Sequence, residues 1–198
     1  MTFAVQRLDG GVRATLLAHF LALPLRDRCL RFGAALAPGV IAAYVDGINF
    51  DRDAVFGVQD DRYELVGVAH VACEGDRAEV ALSVLPAHRR RGLGGTLFKR
   101  AVAHARNRYI PRLFMHFLWE NAPIMRIAQR FKMAIVARAG EADAHLRLPP
   151  ASLASIIGEF VTDTLALYDR ALKALVAAWK HQRRPRGESA SAGDRSTL

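Results

Sequence analysis

Apolar and polar positions follow two rhythms along this 198-residue chain. From Arg13 to Leu23 the apolar residues Leu16, Leu17, Phe20 and Leu21 keep the three-and-four spacing of one helix face, and Pro24 ends the run. Arg26 to Leu36 predicts a second helix with a charged face of Arg26, Asp27, Arg28 and Arg31. Pro38 opens a third through Ile41, Tyr44 and Val45, closed by Asp46-Gly47. Phe3 to Arg7, before Asp9-Gly10-Gly11, predicts a short first strand. After these helices the rhythm changes to strands. Ala54 to Val58, Leu65 to Ala72 and Glu79 to Val84 are strand-like, separated by the turns Asp60-Asp61-Arg62 and Glu74-Gly75-Asp76. Two consecutive hairpins make an antiparallel meander.

The helical period returns with Leu93, Leu97, Ala101 and Ala105, in a helix running to about Asn107. Leu113 to Trp119 is a strand whose alternation puts Phe114, His116, Leu118 and Glu120 on one face and Met115, Phe117 and Trp119 on the other. Asn121 caps a helix through Phe131, with Pro123 in its first turn. Ala134 to Ala137 and Ala144 to Leu148 are strands joined around Gly140. This order predicts an α/β fold: a mixed, mostly antiparallel sheet flanked by helices, with one parallel crossover in the middle. Pro149-Pro150 closes that unit, residues 1–150. Val161, Leu165, Tyr168, Leu172, Leu175 and Trp179 form a heptad stripe within 151–182. They predict a C-terminal helical extension, which packs on its own domain or pairs two subunits into a homodimer. Residues 183–198 carry Arg183, Arg184 and Arg186 and then Gly, Ser and Ala, the composition of a disordered tail.

Charge narrows the partners. The formal net charge of +9 favours anionic ligands, and 52% hydrophobic residues suffice for a sizeable core. With no interleaved basic-aromatic patch and no DNA-reading motif, nucleic acid ranks below a phosphate-bearing cofactor. Cys29 and Cys73 stand far apart without a CxxC pair, which excludes a cysteine zinc site and a disulfide framework; no metal is expected. The first residues lack a signal-peptide pattern and no apolar run spans a bilayer. The expectation is a cytoplasmic protein with no membrane contact.

The chemistry concentrates in the stretch from Val80 to Leu97. An apolar strand ends Leu82-Ser83-Val84-Leu85-Pro86. Arg89-Arg90-Arg91-Gly92-Leu93-Gly94-Gly95 follows, and then the helix. Glycines let successive backbone N–H groups converge, and a helix start adds unpaired donors and partial positive charge. The arginines add full charges suited to a pyrophosphate. The same turn is also compatible with a solvated loop whose glycines serve turn geometry alone. It has neither the Lys-Ser/Thr ending of a P-loop nor the three-glycine dinucleotide fingerprint.

Arg89-x-x-Gly92-x-Gly94 after a strand ending at Pro86 resembles the acetyl-CoA signature of the GNAT N-acetyltransferases. The resemblance spans roughly Phe3 to Leu148 and includes Asn121 at the start of its helix. It implies the GNAT fold and transfer of acetyl from acetyl-CoA to an amine by direct attack, with the acceptor a small molecule or a protein. It implies that Leu82, Ser83 and Val84 hold the pantetheine arm with Asn121, and that the amides and side chains of Arg89, Arg90, Arg91, Gly92, Leu93, Gly94 and Gly95 hold the pyrophosphate. The Val84 N–H becomes an oxyanion donor. His116 stands where several members carry a glutamate base; Glu79 and Glu120 are further candidates, and each is equally readable as a core or surface residue. Ala128 occupies the position of the family's usual tyrosine acid, and Lys132-Met133 replaces its usual Gly-Phe. The general acid is therefore open, and a non-catalytic acyl-CoA-binding regulator is the alternative. Asp27, Tyr44, Asp46, Glu141 and Asp143 lie in the regions that shape the acceptor site in such enzymes.

Overall fold

The computed structural model describes residues 4–162 together with 164 and 171. Its strands are β1 (Gln6–Leu8), β2 (Ala54–Gln59), β3 (Leu65–Glu74), β4 (Arg77–Val84), β5 (Arg112–Leu118), β6 (Ala134–Arg138) and β7 (Glu141–Arg147). They form one seven-stranded sheet in the order β1-β2-β3-β4-β5-β7-β6. Every pairing is antiparallel except β4 with β5. The helices are α1 (Arg13–Leu21), α2 (Leu25–Phe32), α3 (Pro38–Asp46), α4 (Leu93–Asn107) and α5 (Ala122–Arg130). α4 is the crossover that makes β4 and β5 parallel, as the sequence order requires.

Two apolar layers hold the sheet. On one face Leu82, Leu97, Phe98, Leu113, Met115 and Phe117 pack with α4 and α5. On the other, Leu16, Phe20, Ile41 and Val45 of α1 and α3 cover Val55 and Val68. Each fully buried side chain of this size contributes about 1.5–3 kcal/mol. β2 and β3 are covered on both faces and are buried almost continuously. β5 and β7 instead alternate buried with exposed positions, so one face of that half-sheet stays open.

Several boundaries differ from the sequence reading. The first strand covers Gln6–Leu8 instead of Phe3 to Arg7. α2 stops at Phe32, four residues early, because Gly33 turns into the left-handed region (φ 79°) and its N–H bonds Cys29 O at 2.8 Å. β4 starts at Arg77, directly after the two-residue Gly75-Asp76 loop. Cys29 and Cys73 are free and half-buried, less enclosed than small core residues. A further helical stretch covers 153–162. Of the heptad stripe only Val161 is described, and it is exposed; Leu165, Tyr168, Leu172, Leu175, Trp179 and the tail from 183 lie outside the described residues.

Candidate functional site

β4 and β5 begin side by side and then part. Their parallel pairing consists of Arg77 with Arg112, Ala78 with Leu113 and Glu79 with Phe114. β4 continues to Val84, still paired with β3. Leu85 N–H donates to Val66 O on the β3 side at 2.9 Å. Backbone groups alternate along an antiparallel strand, so the amides of Leu82 and Val84 point the other way, into the gap left by β5. α2 lies across this gap. The side chains alternate as well: Val80 and Leu82 join the α4 core, while Glu79, Ala81 and Ser83 look toward α1 and α2.

The gap opens into a cavity of about 400 Å³. Leu82, Ser83, Val84, Arg89, Arg90, Gly92, Leu93, Gly94, Gly95 and Asn121 line it. Arg91 does not; it is exposed on the outer side of the turn. The turn itself uses two left-handed residues, Arg90 (φ 59°) and Gly92 (φ 81°). The α4 hydrogen-bond ladder starts with Thr96 N–H to Gly92 O at 3.0 Å. Leu93, Gly94 and Gly95 therefore present N–H groups without helical acceptors at the positive end of the helix. A Cβ on Gly94 would stand 3.1 Å from Ile127 Cδ1, and one on Gly95 3.5 Å from Arg130 Nη1. The glycines thus let α4 and α5 approach closely while their amides stay bare. Arg126 and Arg130, one turn apart on α5, add charge to the same wall.

Two of the arginines in the turn differ in availability. Arg89 lines the cavity, but its Nε donates to Val84 O at 3.0 Å and its Nη2 pairs with Asp27 at 2.7 Å. It staples the turn to the end of β4 and to α2, and Asp27 neutralises it. Arg90 makes no ion pair among the described residues. Asn121 is buried; its Oδ1 accepts Ile124 N–H at 3.4 Å and its Nδ2 donates to Leu30 O at 3.2 Å, joining the start of α5 to the end of α2.

Ser83 has a partner that no local motif announced. Its hydroxyl is 2.8 Å from Nε2 of His19, whose Nδ1 is 2.7 Å from Leu65 O. A carbonyl only accepts, so Nδ1 carries the hydrogen, Nε2 is bare, and Ser83 donates to it. Burial pushes His19 down to about 4, only partly opposed by the Leu65 hydrogen bond.

The three catalytic candidates land in different places. His116 stands on the open face of β5, half-exposed, with Nδ1 2.8 Å from Asp143 and Nε2 3.6 Å from Glu141. The Asp143 hydrogen bond raises its pKa above 6.5, against a smaller burial effect; Glu141 and Glu79 add to the rise. Glu79 is half-buried on the same face, where β4 and β5 last pair. Glu120 is exposed and lines neither cavity. A second cavity of about 20 Å³ lies below the first, toward the β4–β5 junction, and His116 borders it with Arg31, Ala81 and Leu82. Ala128 is fully buried in the α4 layer and brings no hydroxyl. Asp46 is exposed and lines neither cavity, while Tyr44 sits behind Arg31. Sequence reasoning missed His19, Arg126 and Arg130. The last two were available from their i, i+4 spacing behind Asn121; His19 was not, because its partner is 64 residues away. Among the described residues no group of three or more His, Cys, Asp or Glu could hold a metal, and no helix is long and apolar enough to cross a membrane.

The Acetyltransferase (GNAT) family profile matches residues 16–132, more than half of the chain. The GNAT domain of Streptomyces lividans PAT superimposes with a TM-score of 0.63 at 19% identity, over 73% of this chain and 89% of that one. Salmonella typhimurium yncA, solved with its cofactor acetyl-CoA, gives 0.57 at 15% identity over 77% and 97%. A GNAT superfamily phosphinothricin acetyltransferase from Sinorhizobium meliloti, in complex with acetyl-CoA, gives 0.60 at 12% identity over 78% and 92%. No curated protein sequence matches the chain.

Proposed function

The chain belongs to the GNAT family of acetyltransferases, and on that premise we propose that it transfers the acetyl group of acetyl-CoA to the nitrogen of an amine. The observation that carries this reading is the continuous path from the parted strands to the bare amides of α4. A linear, amide-bearing arm fits between β4 and β5, where Leu82 and Val84 offer backbone hydrogen bonds. A pyrophosphate fits at Leu93, Gly94 and Gly95, with Arg90, Arg126 and Arg130 supplying charge. Arg89 serves chiefly as the staple that shapes this end.

Acetyl-CoA supplies an activated acyl carbon with a thiolate leaving group. The chain holds that carbon where an amine can reach it, which is the larger part of catalysis in a reaction of this kind. The Val84 N–H points into the gap and suits charge developing on the carbonyl oxygen. The amine nitrogen bonds to the acyl carbon, the carbon–sulfur bond breaks, and the nitrogen loses a proton. His116 on the open face is the side chain placed to take that proton, directly or through water, when it is neutral. Ser83, its own hydrogen committed to His19, presents oxygen lone pairs to the same cavity.

Calorimetry with acetyl-CoA tests the reading: wild type should bind, and Gly94→Glu, which places a carboxylate in the turn, should not. Absence of binding by wild type refutes it. Ala128 favours one second reading, an acyl-CoA-binding regulator without transfer. Binding without thiol release in the presence of any of a broad set of amines would decide for that one.

A further inference from the structure

Several arginines of this protein have a carboxylate partner. Arg89 has Asp27, Arg52 has Asp53, Arg100 has Glu159 and Arg112 has Asp76. Arg31, the penultimate residue of α2, does not. Among the described residues no carboxylate lies within ion-pair distance of it. Its Nη2 donates to the Tyr44 hydroxyl at 2.8 Å. Its Nε is shut off from solvent and has no hydrogen-bond partner. The guanidinium is flanked by Phe32, Phe20 and Tyr44, at 4.8, 5.3 and 5.5 Å from the ring centres. Rings of this kind fix its direction and share its charge, but they do not neutralise it. Behind it the Tyr44 hydroxyl contacts His70 Nδ1 at 2.7 Å, so the tyrosine is itself held in place. A fixed, half-buried cation without a counter-ion is costly unless a ligand supplies the anion.

Its position says which ligand. Arg31 lines both cavities, together with Leu30, Leu82, Asn121 and Ile124. None of the turn residues from Arg89 to Gly95 borders the second cavity. Arg31 therefore stands at the inner end of the gap, away from the phosphate turn. In acetyl-CoA the anionic groups lie at the nucleotide end, and the arm and acetyl group that would reach Arg31 are neutral. The anion it awaits does not belong to that molecule. Across the second cavity from Arg31 stands His116, backed by Asp143 and Glu141, with Glu79 on the same face. The inner cavity is thus bordered by the Arg31 cation and by His116, which Asp143 holds through Nδ1, so a molecule with a carboxylate and an amine finds a partner for each.

We infer that Arg31 anchors a carboxylate of the acceptor, so that the substrate is an amino acid or another small amine carrying a free carboxylate. The inference rests on the acetyl-transfer reading and deepens it. Arg31 is a specificity residue in this scheme. Its guanidinium takes the carboxylate in a charge-assisted hydrogen bond, and His116, held by Asp143, receives the amine end.

The test uses the full chain, acetyl-CoA and a thiol-release assay. The acceptors are the twenty standard amino acids, β-alanine and 4-aminobutyrate, each beside its carboxamide, with spermidine and a lysine peptide as acceptors without a neighbouring carboxylate. At least one carboxylate should be acetylated, with kcat/KM about ten- to a hundredfold above its amide. Arg31→Gln should bring the carboxylate down to the level of the amide, so that the ratio of their kcat/KM values falls to about one. Arg31→Lys, which keeps charge but not the guanidinium, should fall between. The comparison of carboxylate with amide in wild type needs no variant, so a poorly folding Arg31→Gln does not block it. Equal rates for carboxylate and amide overturn the inference. So does a panel without activity toward any carboxylate while acetyl-CoA binding is intact. Failure of wild type to bind acetyl-CoA removes the parent reading, and this one with it.

Discussion

His19 makes acid sensitivity a measurable property of the cavity wall. The imidazole is neutral in the fold, because Nδ1–H faces the Leu65 carbonyl and Nε2 accepts from Ser83. Burial is the main reason its pKa falls to about 4, and the nearby Arg31 charge pushes in the same direction. In the unfolded chain the pKa returns to about 6.5. The unfolded state thus gains a proton as pH drops below 6.5, while the folded state refuses one until about 4. Stability from this group is complete above pH 6.5, declines as pH falls, and levels off below 4. Each pH unit in that window is worth about 1.36 kcal/mol, so the full loss is about 3 kcal/mol, and about 2.5 kcal/mol between pH 7.5 and 4.5. Urea denaturation at several pH values, for wild type and His19→Gln, measures it. The variant loses a buried hydrogen bond at every pH, an offset of about 1–3 kcal/mol, but it cannot titrate. The two stability curves should converge by about 2.5 kcal/mol as pH falls from 7.5 to 4.5. Burial also lowers His70, which adds acid sensitivity to both curves and cancels in the comparison. Parallel curves over that range would refute the assignment of a neutral, acceptor Nε2, and with it the direction of the Ser83 hydroxyl.

Two other outcomes follow from the geometry. If His116 is the base, it must be neutral to act, and its raised pKa puts the rise of kcat/KM with pH above 6.5. Asp143→Asn removes the largest cause, so the rise should move back toward 6.5, and an unmoved profile excludes His116 from that role. Gly57→Ala places a methyl 2.7 Å from Leu65 Cδ2 and 2.8 Å from Leu8 Cδ1, where β1, β2 and β3 meet. It should cost about 1–3 kcal/mol in chemical denaturation, and a neutral substitution would show that the leucines repack freely.

What the sequence made legible was whatever repeats locally. The spacing of Leu93, Leu97, Ala101 and Ala105 placed α4, and the alternation in Leu113 to Trp119 placed His116 on one face with Phe114 and Leu118. Asn121 with Pro123 marked the start of α5. Gly33 was equally readable as a helix stop and was passed over. Side-chain partnerships were the part that stayed hidden. Ser83 with His19, and Asn121 with Leu30, join residues 64 and 91 positions apart, and no periodicity encodes that. Charge partners were hidden in the same way: Arg89 lines the cavity beside Arg90, and its Nη2 also pairs with Asp27, far away in sequence. Glu159, in the helical stretch 153–162, contacts Arg100, His104 and Asn107 of α4, a partnership across more than fifty positions. Those partners hold its carboxyl down at about 2 despite burial.

The two ends of the gap are built from different physics, and that difference follows from the sheet. Where β2 and β3 are covered by helices on both faces, nothing can approach. Where β5 leaves β4, the backbone groups of β4 lose their neighbour and one face of β5 and β7 loses its cover. A single divergence therefore creates an edge for hydrogen bonding and an open face for a second molecule. The outer end of that edge meets a helix start with Arg90, Arg126 and Arg130, so it attracts polyanions. The open face carries Glu79, Glu141, Asp143 and His116 together with Arg77, Arg112, Arg138 and Arg147, so it offers partners of both signs to a second molecule. Arg31 adds to the inner end a cation with no carboxylate partner among the described residues, facing a cavity that His116 also borders. That pairing favours a molecule that brings an anion to the one and an amine to the other.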